Sequence, residues 1–307
     1  PNANAVSLGG SVTFVGTLPL NLGSGTGQLL SMTTLNLPAS PLTVVGGFGE
    51  ATAGLGLTKT GTATLFLAGP SSYTGLTTVS TGVVNLTNGL GLGSPAAGTI
   101  VNSGAALELQ GGISTGAEAL TLSGSGIGGT GALRSISGNN TVAGQLAFAA
   151  ATRINSDAGL LALSGSTDIV GSGFALSFGG AGDISLAGNI PGGAGTLTKD
   201  GAGTLTLTGS NLYTGLTTLT SGSLVAGSVG AIGPSGNTVT LGGGTLRLAS
   251  DVAVSSKSVN LAVDSLIILD RATSGTGFNT TFGTLTPTGA RTLTLALGSN
   301  VTDASTL

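Results

Sequence analysis

The sequence has no histidine, no cysteine and no tryptophan in 307 residues, and charged residues make up only 6% of it. Histidine is the usual general base near neutral pH and the commonest metal ligand, and cysteine is the other soft ligand and nucleophile. Without either, most routes to a catalytic or transition-metal site are closed. The lack of cysteine also excludes disulfide staples, so stability must come from burial and backbone pairing, while the redox compartment stays open. Lysine and arginine total 8 against 11 acidic residues, a net charge of −3. No basic stripe exists to neutralise phosphates, which argues against nucleic acid as a partner. Long apolar runs are missing too. The longest, around Leu266–Leu269 and Ala147–Ala151, fall far below the ~20 residues of a membrane-crossing helix, so no membrane-spanning segment is expected. The chain opens at Pro1 with no basic and apolar leader, and an export signal is expected to be absent or already removed.

Glycine is what abounds. There are 58, roughly 19% of the chain against an ordinary share of about 7%. It follows no three-residue period and only 9 residues are proline, which excludes collagen, while 40% hydrophobic residues argue against charged disorder. Short runs of Thr and aliphatic residues recur throughout, among them Thr64–Leu67, Leu107–Leu109, Leu120–Leu122, Leu146–Phe148, Leu160–Leu163, Phe174–Phe178, Thr204–Thr208, Thr238–Leu241, Thr245–Leu248 and Arg291–Leu297. Most alternate Leu with Thr or Ser, placing Leu on one face of a strand and hydroxyls on the other. Gly, Asn, Ser and Pro lie between them and supply turns. No sustained helical period appears, and Ala143–Ala151 fits a strand as well as a helix.

An internal repeat organises the chain. Residues 57–82, LTKTGTATLFLAGPSSYTGLTTVSTG, align without a gap on 197–222, LTKDGAGTLTLTGSNLYTGLTTLTSG, with 15 identities in 26 positions at an offset of 140. Both copies carry one of the two tyrosines, Tyr73 and Tyr213, each opening a YTGLTT hexamer. After a one-residue slip, GLGSP at 91–95 answers AIGPS at 231–235, and ALEL at 106–109 answers TLRL at 245–248. The repeat copies thus extend over 57–110 and 197–249. Lys, Tyr and Leu in register are beyond chance, even in a Gly-rich chain.

The order Leu-Thr-Lys-x-Gly-x-Gly-Thr-Leu-x-Leu-x-Gly, then Tyr-Thr-Gly and Thr-Thr, then a Gly-x-Leu strand, resembles the autotransporter-associated β-strand repeat, also called the passenger-associated transport repeat. The copy at 197–225 is close to that pattern. The copy at 57–84 departs from it at Ala63, where Gly is usual, and at Val83, where Leu is usual. Segments 131–148 and 152–165 are similar to linking segments of such proteins. The resemblance covers 57 to about 250, whereas 1–50 and 255–307 match in texture only. It implies coils of a right-handed parallel β-helix in the passenger region of a large secreted bacterial protein. It also implies export to the cell surface and a role in folding during passage across the outer membrane. The membrane-embedded barrel such proteins carry at their C-terminus is not visible in this sequence.

The expected fold is therefore all-β, a right-handed parallel β-helix (solenoid), elongated, with 1–307 as one continuous solenoid flanked by β-rich coils at 1–50 and 255–307. Parallel coils stack ~4.8 Å apart, so Leu columns fill the interior and Thr or Ser columns face water. At a typical 20–25 residues per coil the chain would make roughly 12–15 coils and about 60–70 Å of rod. Few charges suit such stacking, because like charges in register repel. Tandem antiparallel β-sandwich domains are the competing fold, and the 140-residue offset would suit them; continuous Gly-x-Leu texture and scarce aromatics favour the solenoid.

Four features could carry chemistry. Gly124, Gly126 and Gly129 have GxGxxG spacing, but a phosphate site needs a helix after them and TGALRSISG reads as strand and turn. GGAGD at 179–183 is similar to a calcium nonapeptide, yet Asp183 falls one position early and has no tandem copy. The acidic pairs Asp264 with Asp270, and Asp157 with Asp168, are the candidates for glycan cleavage, without a basic cluster to tune them. Asp264 and Asp270 flank the apolar LIIL and are expected at the solvated ends of a strand. Thr-x-Thr pairs such as Thr204–Thr206 and Thr238–Thr240 invite an ice-binding reading, but flat Thr ladders need a regular coil and the strand spacing is uneven; Thr is simply a good solvent-facing strand residue. Lys59 and Lys199, being repeat equivalents, point to a shared structural role, and Tyr73 and Tyr213 to rings packed over the end of a coil. No catalytic, cofactor-binding or metal-binding residue is assigned, and no cofactor is expected.

The function expected is non-enzymatic: an extracellular structural or adhesive passenger segment of a surface filament, fibre or layer. The rivals are a β-helical polysaccharide-degrading enzyme and a carbohydrate- or ice-binding β-solenoid. Surface glycans are possible partners. The chain ends, Pro1–Gly16 and Arg291–Leu307, are as Thr- and Leu-rich as the middle and read as uncapped, so end-to-end self-association or continuation into more chain is expected.

Overall fold

The structure, a computed structural model, describes residues 5–165, 169–252, 257–276 and 280–302. Among these are 28 strands and a single three-residue 3-10 turn, Ile127–Gly129. Every strand pairing among the described residues is parallel, which removes the antiparallel sandwich reading. The chain divides into two compact units, Pro1–Gly165 and Ser166–Leu307, and each is a β-solenoid.

In the first unit one inward column runs Thr33, Leu57, Thr77, Thr99, Leu120, Leu146, with 24, 20, 22, 21 and 26 residues from one coil to the next. A second runs Leu42, Leu65, Val84, Leu107, Leu133, Ile154 on the facing strands. All six members of the second column are buried. The alternation read from the sequence is what makes this possible. Each TLxL stretch turns its second and fourth members inward and each LTxT stretch its first and third, and a parallel stack at constant register puts each on its counterpart in the next coil. A fully buried Leu or Val contributes about 1.5–3 kcal/mol, and such residues make up most of the interior, with buried Thr, Asn and Lys set among them.

The second unit repeats the plan. Its columns are Leu176, Leu197, Thr217, Val239, Val259, Leu285, spaced 21, 20, 22, 20 and 26 residues, and Ile184, Leu205, Leu224, Leu246, Ile267, Leu295. The uneven strand spacing in the sequence comes from corner loops of different length. The coils themselves stay in step.

Candidate functional site

The repeat places a lysine where the alternation calls for a core residue. In Leu57-Thr58-Lys59 the first and third residues face inward, and Lys59 stacks between Leu35 and Val79. Lys199 occupies the same place in the second unit, between Phe178 and Leu219. Lys59 is 0% exposed and Lys199 2%. Their methylene stems belong to the apolar column, while the ammonium bends to the corner and meets turn carbonyls. Lys59 Nζ donates to the carbonyls of Thr60 at 2.9 Å, Gly61 at 2.7 Å and, on the next coil, Thr81 at 3.1 Å. Lys199 Nζ donates to Asp200 at 2.8 Å, Gly201 at 2.8 Å and Ser221 at 3.2 Å. Each lysine thus ties one coil to the next. Burial pushes the Lys59 ammonium down to about 8.

Next to each lysine head lies a glycine with positive φ, Gly82 at +75° and Gly222 at +70°. A Cβ on Gly82 would stand 2.2 Å from the Gly61 carbonyl oxygen and 2.7 Å from Lys59 Nζ, and one on Gly222 would stand 2.4 Å and 2.8 Å from the matching atoms. The glycine that closes the repeat motif is therefore required by close approach as well as by φ.

The tyrosines lie inside the core, 0% and 2% exposed, rather than over the end of a coil. Tyr73 Oη is 2.6 Å from Thr77 Oγ1, and Tyr213 Oη is 2.7 Å from Thr217 Oγ1. Thr77 gives its own proton to the Leu92 carbonyl at 3.0 Å, so the Tyr73 hydroxyl is the donor to Thr77. Burial pushes both phenols well above their ordinary range. The last Thr of each YTGLTT, Thr78 or Thr218, faces outward. The repeat's Lys, Tyr and first TT threonine are all consumed in holding coils together.

Outward faces carry columns built mainly of hydroxyl residues, interrupted by Ile100 in the first unit and Asn260 in the second. Ser11, Thr34, Thr58, Thr78, Ile100 and Thr121 stack in register in the first unit. Ser177, Thr198, Thr218, Thr240, Asn260 and Thr286 do so in the second. Neither column contains a charged residue. With a repeat of ~4.8 Å they can offer many equivalent donors and acceptors. Sequence spacing alone hid this regularity. No Trp is present and both Tyr are buried, so no tyrosine or tryptophan platform for a sugar ring is offered.

Ion pairs form in both units. In the first unit Asn85, Glu108, Arg134 and Asn155 occupy successive coils of one outward column. Arg134 pairs with Glu108 at 3.1 Å and with Asp157 at 2.6 Å, and its bonds to Asp157 hold the guanidinium above its ordinary value. In the second unit Arg247 pairs with Asp270, whose side chain is fully buried. Burial pushes the Asp270 carboxyl up, but the Arg271 N–H, Arg247 and the Asn300 N–H together outweigh it and hold it below the ordinary value.

The sequence candidates are scattered by this fold. Asp264 is exposed and accepts the Thr292 N–H at 2.8 Å. Asp270 is not at a solvated strand end, because Arg247 and two backbone amides draw it inside. Asp264 stands just before the extended strand Ser265–Asp270 that ends on Asp270, which sets the two about 20 Å apart, whereas paired glycosidase carboxylates stand roughly 5–9.5 Å apart. Asp157 is taken up by Arg134 and Asn155; its candidate partner Asp168 lies outside the described residues. Asp183 is exposed and accepts the Thr204 N–H of the next coil at 2.8 Å. Gly124, Gly126 and Gly129 form a positive-φ turn around Ile127–Gly129 that leads into the strand Leu133–Ser137, with no α-helix after it. Among the described residues no three His, Cys, Asp or Glu side chains gather as metal ligands, and no helix is long and apolar enough to cross a membrane. Sequence reasoning missed the burial of both repeat lysines; their inward parity in LTK was the available signal.

Compared with protein families, residues 57–86 and 197–226 each match the passenger-associated-transport-repeat. The matches fall one in each unit and end inside the 57–110 and 197–249 spans of the longer internal repeat. No curated protein matches the chain.

Proposed function

We propose that a chain carrying two passenger-associated transport repeats, one in each of two β-solenoid units, is a non-enzymatic segment of the passenger region of an exported bacterial surface protein. Its work is structural and adhesive: rigid coils present uncharged hydroxyl columns that make many weak contacts, with surface glycans as the natural partners. The observation that carries this reading is that both family-matched repeats spend their distinctive residues on the coil interior. Lys59 and Lys199 each donate to three backbone carbonyls, and Tyr73 and Tyr213 pair with threonines. Residues repeated for coil building indicate a scaffold, while the dispersed acids give an enzyme reading no site.

The inward-facing Leu285 and Leu295 are 47% and 41% exposed, against 1% and 0% for Val259 and Ile267 one coil earlier. Such residues are complementary to a further coil, supplied by continuing chain or by another copy, and the edge strands carry free backbone groups that would pair with it.

The test is display of the chain on a Gram-negative cell through a translocator barrel, followed by protease accessibility, glycan-array binding and a polysaccharide hydrolysis assay. Surface exposure, binding without turnover, and at least tenfold weaker binding by the Thr198→Val/Thr218→Val/Thr240→Val variant are expected. Hydrolysis by the purified chain, or binding indifferent to the outward threonines, would sink the adhesive reading.

A further inference from the structure

Among the described residues of the first unit Glu118 is the only buried acidic residue, at 2% exposure. It enters the coil interior two residues before the inward Leu120, which stacks on Thr99, which stacks on Thr77. Thr99 Oγ1 donates to Glu118 Oε1 at 2.7 Å, and Thr77 holds the Tyr73 hydroxyl one coil below. A polar spine of Tyr73, Thr77, Thr99 and Glu118 thus rises through three coils of an otherwise apolar column. Tyr73 is the titratable group that faces the carboxyl electrostatically. No lysine or arginine pairs with Glu118 among the described residues. At the same turn Thr115 offers its carbonyl to the Glu118 N–H at 3.4 Å, and its buried hydroxyl has no hydrogen-bond partner. An ionised carboxylate here keeps one strong hydrogen bond and loses its water, whereas a neutral carboxyl fits the column.

We propose that Glu118 is a protonation-controlled pin: neutral, it closes the coils between Tyr73 and Leu122, and ionised, it loosens them. The second unit lacks the device. Val239 stands in the register place of Thr99, and Lys257 in that of Glu118. Burial drives the Glu118 carboxyl up to about 7, against the opposing pull of the Thr99 hydrogen bond. The folded coil then holds a proton that the opened coil releases. Closure is strongest below the ordinary carboxyl value of 4.5 and is lost as pH rises through about 7.

Hydrogen exchange on the full chain, corrected for intrinsic rates, tests this between pH 6 and pH 8.5. Opening of peptides within 73–122 should rise about tenfold over that range in the wild type. In Glu118→Gln it should stay flat, and peptides within 213–261 should not open further in either protein. Thr99→Val, which removes the donor favouring the ionised form, should move the wild-type rise to higher pH. Equal profiles for wild type and Glu118→Gln, the same rise in 213–261, or an unmoved midpoint in Thr99→Val would overturn the proposal.

Discussion

Replacing Gly82 with alanine separates two demands that glycine meets at a coil corner. Gly82 has φ +75°, and Gly104, the residue before Ala105, which stacks on Gly82 in the next coil, has φ +84°. A left-handed alanine costs roughly 1–2 kcal/mol wherever it occurs. At Gly104 a new Cβ meets nothing within 4 Å, so that is the whole effect. At Gly82 the Cβ falls 2.2 Å from the Gly61 carbonyl oxygen, 2.7 Å from Lys59 Nζ and 3.0 Å from the Ala63 carbonyl oxygen. Backbone on the neighbouring coil must retreat by about an ångström, which overpacking data put at about 1–3 kcal/mol. The shift also loosens the Lys59 bonds to Gly61 and Thr81, adding about 1 kcal/mol. Gly82→Ala should therefore cost about 3–6 kcal/mol and Gly104→Ala about 1–2 kcal/mol. At about 2–4 °C per kcal/mol the melting temperature would fall by roughly 10 °C and 4 °C respectively. Because a solenoid is stabilised coil by coil, hydrogen exchange in 57–101 should report the difference locally even where melting is not two-state. Gly222→Ala gives an independent repetition in the second unit. Equal losses at Gly82 and Gly104 would refute the clash argument and leave φ alone as the reason for the glycine.

Two further outcomes follow from the buried charges. Because the Lys59 value falls from 10.5 to about 8 on folding, the unfolded chain binds more protons across that window. Stability of the first unit should then rise by up to about 3 kcal/mol as pH climbs from 8 to 10.5, and Lys59→Met should abolish the rise; urea midpoints measured across that range decide it. Arg247→Ala leaves the Asp270 carboxylate buried with only its backbone donors and should cost about 2–3 kcal/mol, most of which Asp270→Asn restores in the double variant, as denaturant titration of the three proteins would show.

Much of the architecture was legible without coordinates. Alternation in stretches such as TLTL and LTKT assigns each residue a side, because a strand has a period of two whatever its neighbours do. The 140-residue repeat predicts that Lys59 and Lys199, or Tyr73 and Tyr213, share surroundings, and each pair does. Parallel pairing was not decided by alternation, which an antiparallel sandwich shares; it was argued from texture and from family resemblance. Depth was legible least. Lys59 is inward by parity but charged by chemistry, and only the carbonyls of Gly61 and Thr81, brought together by closure of two coils, let its ammonium stay there. Asp270 reads as a solvated strand end until Arg247, one coil below, and the Asn300 amide, one coil above, arrive beside it. Glu118 shares the parity of the inward Leu120 and Leu122, but nothing near it in sequence shows that Thr99 one coil away would take its carboxyl. Which face of each strand is apolar, and that two stretches of chain build alike, follow from residue order, since both are properties of neighbours along the chain. Which polar groups lie in the interior depended on coil closure, because partners such as Thr81 for Lys59, Thr99 for Glu118 and Arg247 for Asp270 come from neighbouring coils, and a charge stays buried only where such partners meet it.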